Sequence, residues 1–273
     1  MTLNSRPENV VVARLCDDTI EAIRAATTAQ VAKGGFSLHM GEALRATEKS
    51  QVFSAQDDKA KPLIVKRHSQ RRGFASELLA YRLLEGSIHI PRVHYIDESA
   101  QVMVLSKYDP CAFNDSGSRY RVFQALGRVH GRASARVRES RLSHLACREI
   151  TLGEAHRWWR STPELAQYYQ HLAQSARLAS EHVALGDLGP GHILDSGQGI
   201  RFCDLETFAM GQPSELDLIA LLQLPSRNDD AEQMTKAYFD ARQEVCAPSR
   251  SFQEFLASLE RLSYLIAPQV NLK

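Results

Sequence analysis

Short apolar stretches separated by polar turns dominate the first part of the chain. Residues 51–55, QVFSA, and residues 62–68, PLIVKRH, flank the polar segment QDDKAK. Residues 91–108, PRVHYIDESAQVMVLSKY, contain two further apolar stretches around the acidic segment IDES. Brief apolar runs bounded by turn residues are typical of β-strands. The pattern therefore predicts two pairs of strands, each pair joined by a turn.

Two other segments of this part have the spacing and the end signals of helices. Residues 17–33, DDTIEAIRAATTAQVAK, begin with two aspartates and are followed by Gly34 and Gly35. Aspartate is a common N-cap, and glycine commonly ends a helix. In residues 74–86, FASELLAYRLLEG, apolar side chains recur every third or fourth position until Gly86. We expect a helix in each segment.

After a polar loop, the pattern becomes mostly helical. The predicted helices cover residues 118–137, 163–179, 214–224, 231–245 and 251–266. The exception is a small hairpin, in which HIL and IRF flank the turn DSGQG. A sheet-rich segment followed by a helical one predicts a segregated α+β fold. We expect an N-lobe over residues 1–108, including the first helix, a C-lobe over residues 109–273, and a ligand-binding cleft between them.

Composition narrows the class of protein. The 273 residues are 44% hydrophobic and 24% charged, as is usual for a soluble globular chain, and the net charge is +1. Near-neutral charge gives no overall attraction to nucleic acid or anionic membranes. We find neither a secretory signal nor a membrane-spanning run. Five scattered cysteines without a C-x-x-C pair suit reduced thiols. These features predict a cytoplasmic protein that binds neither nucleic acid nor membrane.

Two carboxylates stand at opposite ends of the small hairpin. Asp187 precedes it, Asp204 follows it, and His192 lies five residues after Asp187. This order suits phosphoryl transfer, in which one carboxylate deprotonates an attacking hydroxyl and another binds Mg²⁺ against nucleotide phosphates. The alternative is that both aspartates are turn or cap residues, since aspartate is common beside glycine and proline.

A nucleotide-binding role can also be suggested for the first part of the chain. Lys66 lies on an apolar strand, and Glu77 on the following helix could pair with its ammonium group and direct it toward a phosphate. The alternative is two unrelated surface charges. Thr47 and Ser50, with nearby backbone N–H groups, could cradle phosphates, and the glycine-containing residues 34–41 are the competing loop.

The order of these motifs resembles the aminoglycoside phosphotransferase and choline kinase-like branch of the protein-kinase-like fold. Residues 185–194, LGDLGPGHIL, are similar to its catalytic loop H-G-D-x-x-x-x-N. Residues 204–206, DLE, begin its second motif, which Gly211, Pro213, Asp217 and Leu218 continue at the family's spacing. The similarity extends over residues 45–222, and each motif is weak alone, but their joint order is specific.

The resemblance implies a bilobal protein-kinase-like fold and an ATP-dependent transfer of the γ-phosphate to the hydroxyl group of a small molecule. The acceptor could be an aminoglycoside or other antibiotic, or a metabolite alcohol or sugar. Lys66 would contact the α- and β-phosphates and pair with Glu77. Backbone groups of Ser106, Lys107 and Tyr108 would contact adenine.

The resemblance also assigns roles around the hairpin. Asp187 would be the catalytic base and Asp204 the main Mg²⁺ ligand, while Asp217 would brace the catalytic loop. Glu206 would reach a second ion or a water. The segment between Asp204 and Asp217 is too short for the activation loop of a typical protein kinase.

Two positions depart from the family pattern. Leu185 replaces the usual histidine, and His192 replaces the usual asparagine. Imidazole suits Mn²⁺ better than Mg²⁺. Three explanations stay open: His192 binds the metal, it bonds to Asp187 or a phosphate, or the chain is a nucleotide-binding pseudokinase or partner-binding module.

Other residues have a functional and a structural interpretation. Trp158, Trp159, Asp229 and Asp230 fall where relatives bind substrate, but core packing and helix capping explain them equally well. Arginines recur on the helix over residues 118–137. They form either a patch that binds an anionic partner or a face exposed to solvent.

Overall fold

A computed structural model describes residues 17–112, 115–140, 142, 167, 180–222 and 230–270. The chain divides into two compact units. The first contains the residues up to Ala75 together with Pro91–Asp109, and the second contains Ser76–Ile90 and the residues from Pro110 onward.

The first unit is built on an antiparallel sheet with the strand order β1-β2-β3-β5-β4. The strands are β1 His39–Ala46, β2 Ser50–Gln56, β3 Pro62–His68, β4 Val93–Asp97 and β5 Val102–Ser106. Helix α1, Asp17–Lys33, precedes them. The predicted helix and the two predicted strand pairs are present, and β1 is an additional strand.

Apolar side chains on alternate positions of the central strands form the core of this unit. Phe53, Val65 and Val104 are fully buried, and Val31 of α1 packs in the same cluster. Burying a side chain of this size stabilises a fold by about 1.5–3 kcal/mol. Strand β1 was missed because most of HMGEALRA is exposed and shows no apolar alternation.

The second unit is mostly helical. Its helices are α3 Ser116–Glu139, α4 Glu215–Leu222, α5 Ala231–Val245 and α6 Phe252–Val270, and the predicted helix over residues 163–179 lies outside the described residues. Helix α2, Arg71–Leu83, continues into this unit from the first. Of the helices in the described ranges, none is long and apolar enough to cross a membrane.

Several short strands lie in the segments that connect these helices. After β6, Asp109–Pro110, strand β7, Val183–Ala184, pairs with β10, Ala209–Met210. Strands β8, Ile193–Asp195, and β9, Ile200–Phe202, form the predicted hairpin. Because β7 precedes residues 185–187 and β10 follows residues 205–207, this pairing brings the two loops together.

Helices α3 and α5 pack closely because α3 presents two glycines to α5. A Cβ atom at Gly127 would lie 2.2 Å from the carbonyl oxygen of Tyr238, and one at Gly131 would lie 3.0 Å from that of Arg242. The close approach brings the Tyr238 hydroxyl of α5 within 2.9 Å of His130 Nδ1 on α3.

The arginines of α3 interact with acceptors of their own chain. Arg128 lies 3.2 Å from Glu244, Arg136 lies 3.2 Å from Glu139, and Arg138 lies 2.6 Å from Glu181. Arg132 donates to the backbone carbonyl of Glu85. These contacts favour a structural role for the arginines over an anion-binding patch.

Candidate active site

The segment that carries Asp187 leaves β7 and is held by a buried carboxylate. Asp217, at the start of α4, accepts hydrogen bonds from the backbone N–H groups of Leu185, at 2.6 Å, and Gly186, at 3.0 Å. Asp217 is fully buried, whereas Asp187 is exposed. The base candidate is therefore presented to solvent by a loop whose preceding residues are anchored in the interior.

Asp217 is supported in turn by two buried rings from distant parts of the chain. His130 Nε2 lies 3.0 Å from Asp217 Oδ2, and His130 Nδ1 lies 2.9 Å from the hydroxyl of Tyr238. Burial lowers the pKa of His130, so the imidazole is neutral near pH 7. Nε2–H then donates to the carboxylate, and Nδ1 accepts from the Tyr238 hydroxyl.

Sequence reasoning missed His130 and Tyr238 as supports of the loop. The residues are 108 positions apart, and both point inward from helices with long apolar faces. The sequence does show His130 among the apolar positions of its helix, which indicates a buried polar group. It does not show which carboxylate the imidazole contacts.

His192 and Asp204 face each other across the hairpin. His192 ends a short 3₁₀ turn, Pro190–His192, and its Nδ1 lies 2.6 Å from the carbonyl oxygen of Asp187. A carbonyl only accepts, so Nδ1 carries the proton and Nε2 keeps its lone pair in the neutral ring. Nε2 lies 3.6 Å from Asp204 Oδ2. The structure thus joins Asp187, His192 and Asp204, all candidates from the sequence.

Asp204 adopts an unusual backbone conformation. Its φ of 61° and ψ of 54° lie in the left-handed helical region. Aspartate and asparagine enter this region more readily than other residues with side chains. Such conformations concentrate at functional sites, where the surrounding structure compensates their cost.

Asp204 and His192 suit a metal ion that takes its other ligands from substrate and water. Two ligands that each lie about 2.1 Å from one ion can be at most about 4.2 Å apart, so the observed separation is compatible with a shared ion. Their side chains are 19% and 25% exposed. Within the described ranges, no group of three or more His, Cys, Asp or Glu residues could hold a metal. Mg²⁺ commonly binds through one or two carboxylates together with phosphates and water.

The nucleotide-binding candidates Lys66 and Glu77 are both buried. Lys66 lies on β3 between Val52 on β2 and Met103 on β5, and 5% of its surface is exposed. Glu77 lies on α2 and is fully buried. Charged groups are rarely buried to this degree unless they are paired.

Thr47 begins the turn between β1 and β2, and Ser50 is the first residue of β2. The Thr47 hydroxyl lies 3.0 Å from the carbonyl oxygen of Ser50 and 3.2 Å from its backbone nitrogen, so the two residues close the turn themselves. The competing glycines lie elsewhere: Gly34 and Gly35 follow α1, and Gly41 lies within β1. Of the two competing segments, the one around Thr47 therefore forms the connection, residues 47–49, between two paired strands.

The proposed adenine-binding segment follows β5. The backbone N–H of Ser106 donates to Arg92, and that of Lys107 donates to Pro62. The Ser106 hydroxyl lies 2.8 Å from His94 Nε2. Because these two N–H groups already donate to carbonyl groups of the chain, contacts with adenine would come from the carbonyl groups of Ser106 and Lys107 and from Tyr108.

Of the four candidate substrate-binding residues, the structure describes Asp230. Trp158, Trp159 and Asp229 lie outside the described residues. Asp230 occupies the N-cap position of α5, but its side chain makes no capping hydrogen bond, and its carboxylate lies 3.7 Å from Arg119.

A buried histidine next to β7 makes the stability of the protein depend on pH. Neither ring nitrogen of His182 has a hydrogen-bond partner among the residues with described side chains. Burial lowers its pKa to about 3, although Glu215 opposes the shift, and Arg250 and Arg242 add to it. The folded state therefore resists protonation of this ring.

We expect the replacement His182→Leu to flatten the pH dependence of stability. The unfolded ring binds a proton below about pH 6.5, whereas the folded ring stays neutral down to about pH 3. Stability contributed by the neutral ring is complete above pH 6.5 and is lost progressively between these values, by up to about 1.4 kcal/mol per pH unit. Urea unfolding from pH 7.5 to 4.5 measures the slope. His39→Leu, at an exposed position, is the control, and an equally steep slope in both variants would contradict this assignment.

No family model matches the chain, and no curated protein matches its sequence. Solved structures do match. An amicoumacin kinase, in complex with AMP-PNP, Ca²⁺ and Ami, is 14% identical, with 93% of this chain and 86% of that chain covered and a TM-score of 0.56. A macrolide 2'-phosphotransferase type I is 11% identical, with 93% and 91% covered and a TM-score of 0.53. A choline/ethanolamine kinase family protein from Mesorhizobium loti is 18% identical, with 90% and 94% covered and a TM-score of 0.49.

The first two similarities establish the class of fold. The chain shares the α+β fold of that amicoumacin kinase and that macrolide 2'-phosphotransferase, which is the fold class that its motifs predicted. The sheet-rich first unit and the helical second unit correspond to the two parts of that fold.

Proposed function

We propose that this protein is an ATP-dependent phosphotransferase that moves the γ-phosphate to a hydroxyl group of a small molecule. The observation that carries the proposal is the contact of His192 with both the Asp187 backbone, at 2.6 Å, and the Asp204 carboxylate, at 3.6 Å. A base candidate and a metal-binding candidate lie on either side of one side chain, on a fold that hosts small-molecule kinases. Phosphoryl transfer needs both groups.

Each residue has a distinct task in the proposed reaction. The oxygen of the acceptor hydroxyl attacks the γ-phosphorus, and Asp187 accepts the proton of that hydroxyl. The bond between the γ-phosphorus and the bridging oxygen of the β-phosphate breaks, which releases ADP. Lys66 stabilises the α- and β-phosphates, and Glu77 orients its ammonium group. The main chain of Ser106, Lys107 and Tyr108 binds adenine, and the turn from Thr47 to Ser50 covers the phosphates.

Asp204 and His192 hold the divalent ion, Mg²⁺ or Mn²⁺, and Asp204 is the main ligand. When bound, the ion neutralises negative charge on the nucleotide phosphates. The hydrogen bond of Nδ1–H to a carbonyl is the usual support of a metal-binding imidazole, because it fixes the tautomer and the orientation of the ring.

We expect His192→Asn to shift the metal preference from Mn²⁺ toward Mg²⁺. Imidazole nitrogen favours the softer ion, whereas an amide oxygen suits Mg²⁺. The affinity for Mn²⁺ in the presence of AMP-PNP should fall about tenfold, measured as free Mn²⁺ by electron paramagnetic resonance. His39→Asn makes the same chemical change at an exposed position of β1 and should leave the affinity unchanged. An unaltered affinity in His192→Asn would show that His192 is not a ligand.

The second candidate function is nucleotide binding without transfer, with or without a protein partner. The replacement of the usual asparagine by His192 favours it. The contacts of Arg128, Arg136 and Arg138 with acidic residues of their own chain give the partner-binding version little support.

Turnover of ATP with a panel of acceptors tests the proposal. The panel contains aminoglycosides, macrolides, amicoumacin, choline-like alcohols and sugars, each assayed with Mg²⁺ and with Mn²⁺. We expect ADP release that depends on one class of acceptor. Binding of ATP without turnover on any acceptor would favour the second candidate.

A further inference from the structure

One hydroxyl group bonds to the two peptide units on either side of Gly186, the residue before Asp187. Thr207 ends a 3₁₀ turn, Leu205–Thr207, that directly follows Asp204. Its Oγ1 accepts a hydrogen bond from the Asp187 N–H, at 2.9 Å, and donates one to the carbonyl oxygen of Leu185, at 3.1 Å. The residue as a whole is exposed.

These two bonds complete the hydrogen bonding of the N–H and carbonyl groups of residues 185–187. Asp217 accepts from the N–H groups of residues 185 and 186. Leu188 donates to the carbonyl of residue 186, and His192 donates to that of Asp187. Only the Asp187 N–H and the residue 185 carbonyl remain, and Thr207 satisfies both. Removing its hydroxyl therefore leaves the peptide groups on both sides of residue 186 without these bonds.

The loop is also shaped to let this hydroxyl approach. Gly186 has a φ of +99°, in the region that favours glycine, and a Cβ atom there would lie 2.4 Å from Thr207 Oγ1. The side chain of Thr207 thus occupies the space that a side chain at residue 186 would need.

We propose that Thr207 is a positioning residue for Asp187, an inference that rests on the phosphotransferase function proposed above. Asp217 anchors residues 185 and 186, but the N–H of Asp187 itself is held by Thr207. Because Thr207 lies three residues after Asp204, the turn that carries the metal-binding carboxylate also holds the base. We call these two hydrogen bonds of Thr207 the clasp, and they fix the position of the base relative to the metal ligand.

The test compares Thr207→Val, which keeps the shape but lacks the hydroxyl, with Thr207→Ser, which keeps the hydroxyl. ADP release from ATP, with Mg²⁺ and with Mn²⁺, is measured for each full-length variant with water and with the acceptors of the panel. Loss of alignment by a fraction of an ångström to an ångström costs roughly 10- to 100-fold in rate. We expect kcat of Thr207→Val to fall by roughly 10- to 100-fold, with KM for ATP unchanged. Thr207→Ser should keep the wild-type kcat.

Amide hydrogen exchange over residues 185–188 accompanies the kinetics. Faster exchange in Thr207→Val, but not in Thr207→Ser, together with the selective loss of kcat, supports the clasp. Wild-type kcat in Thr207→Val overturns the proposal while leaving the phosphotransferase function standing. Equal losses in both variants, or a rise in KM for ATP with an unchanged kcat, also overturn it. If the wild-type protein transfers no phosphate to any acceptor or to water, the proposed function fails, and the role of Thr207 fails with it.

Discussion

Asp187→Asn should lower the rate of phosphate transfer by roughly 10²- to 10⁴-fold, the usual contribution of a general base. The amide keeps the size of the side chain but cannot take a proton from the acceptor hydroxyl. The loop should keep its shape, because the Thr207 and His192 contacts involve the backbone of residue 187. Affinity for ATP should therefore stay within a few-fold of wild type. Single-turnover transfer and a separate measurement of ATP binding distinguish the two effects.

The matched control for this experiment is Asp195→Asn. Asp195 ends β8 in the same hairpin, and its carboxylate accepts from the N–H of Gly197 at 2.8 Å, a bond that an asparagine oxygen can also accept. The control removes the same charge and should leave transfer unchanged. Wild-type transfer by Asp187→Asn would show that the base has been assigned to the wrong residue.

Asp204→Asn should remove the metal-dependent part of ATP binding and lower turnover at least about 100-fold. Asparagine tolerates the left-handed conformation of this position, so the backbone cost of the change is small. In the wild type, ATP at a hundred times its dissociation constant should stabilise the fold by about 2.7 kcal/mol in the presence of metal. For a chain of this size, that corresponds to a rise in Tm of roughly 5–10 °C.

The comparison of Tm with and without metal isolates the role of Asp204. In Asp204→Asn, ATP with Mg²⁺ should stabilise no more than ATP with chelator. Asp240→Asn, which loses an exposed partner of Lys236 on α5, is the control and should respond as the wild type does. A metal-dependent rise in Tm that survives Asp204→Asn would exclude this carboxylate as the main ligand.

The sequence predicted those parts of the fold whose residues follow a simple period. The core strands β2, β3 and β5 could be recognised because each contains a short run of apolar residues bounded by polar ones, and α1 because aspartates and glycines mark its ends. Strand β1 could not be recognised, since an exposed edge strand needs no apolar alternation.

The same distinction applies to the site. Asp187, His192 and Asp204 lie within one short segment, so their order along the chain was already informative. His130 supports Asp217 from 87 residues away, and no local pattern links the two. Thr207 was overlooked because its role depends on the pairing of β7 with β10, which short strands do not reveal in a sequence.

The resemblance to small-molecule kinases added what the residue pattern alone left open, and the structural comparisons confirm it for the fold. The lobe boundary after residue 108 stays a prediction. So do the roles of Lys66 and Glu77, ATP as the donor and the class of acceptor.

The central claim is that this chain transfers phosphate, and one measurement tests it most directly. The wild-type protein is incubated with ATP labelled with ¹⁸O on the γ-phosphate, a divalent metal and each acceptor of the panel, and the acceptors are analysed by mass spectrometry. We predict one labelled phosphate group on a single class of acceptor. ATP that binds with metal but leaves every acceptor unmodified would contradict the account and indicate a pseudokinase.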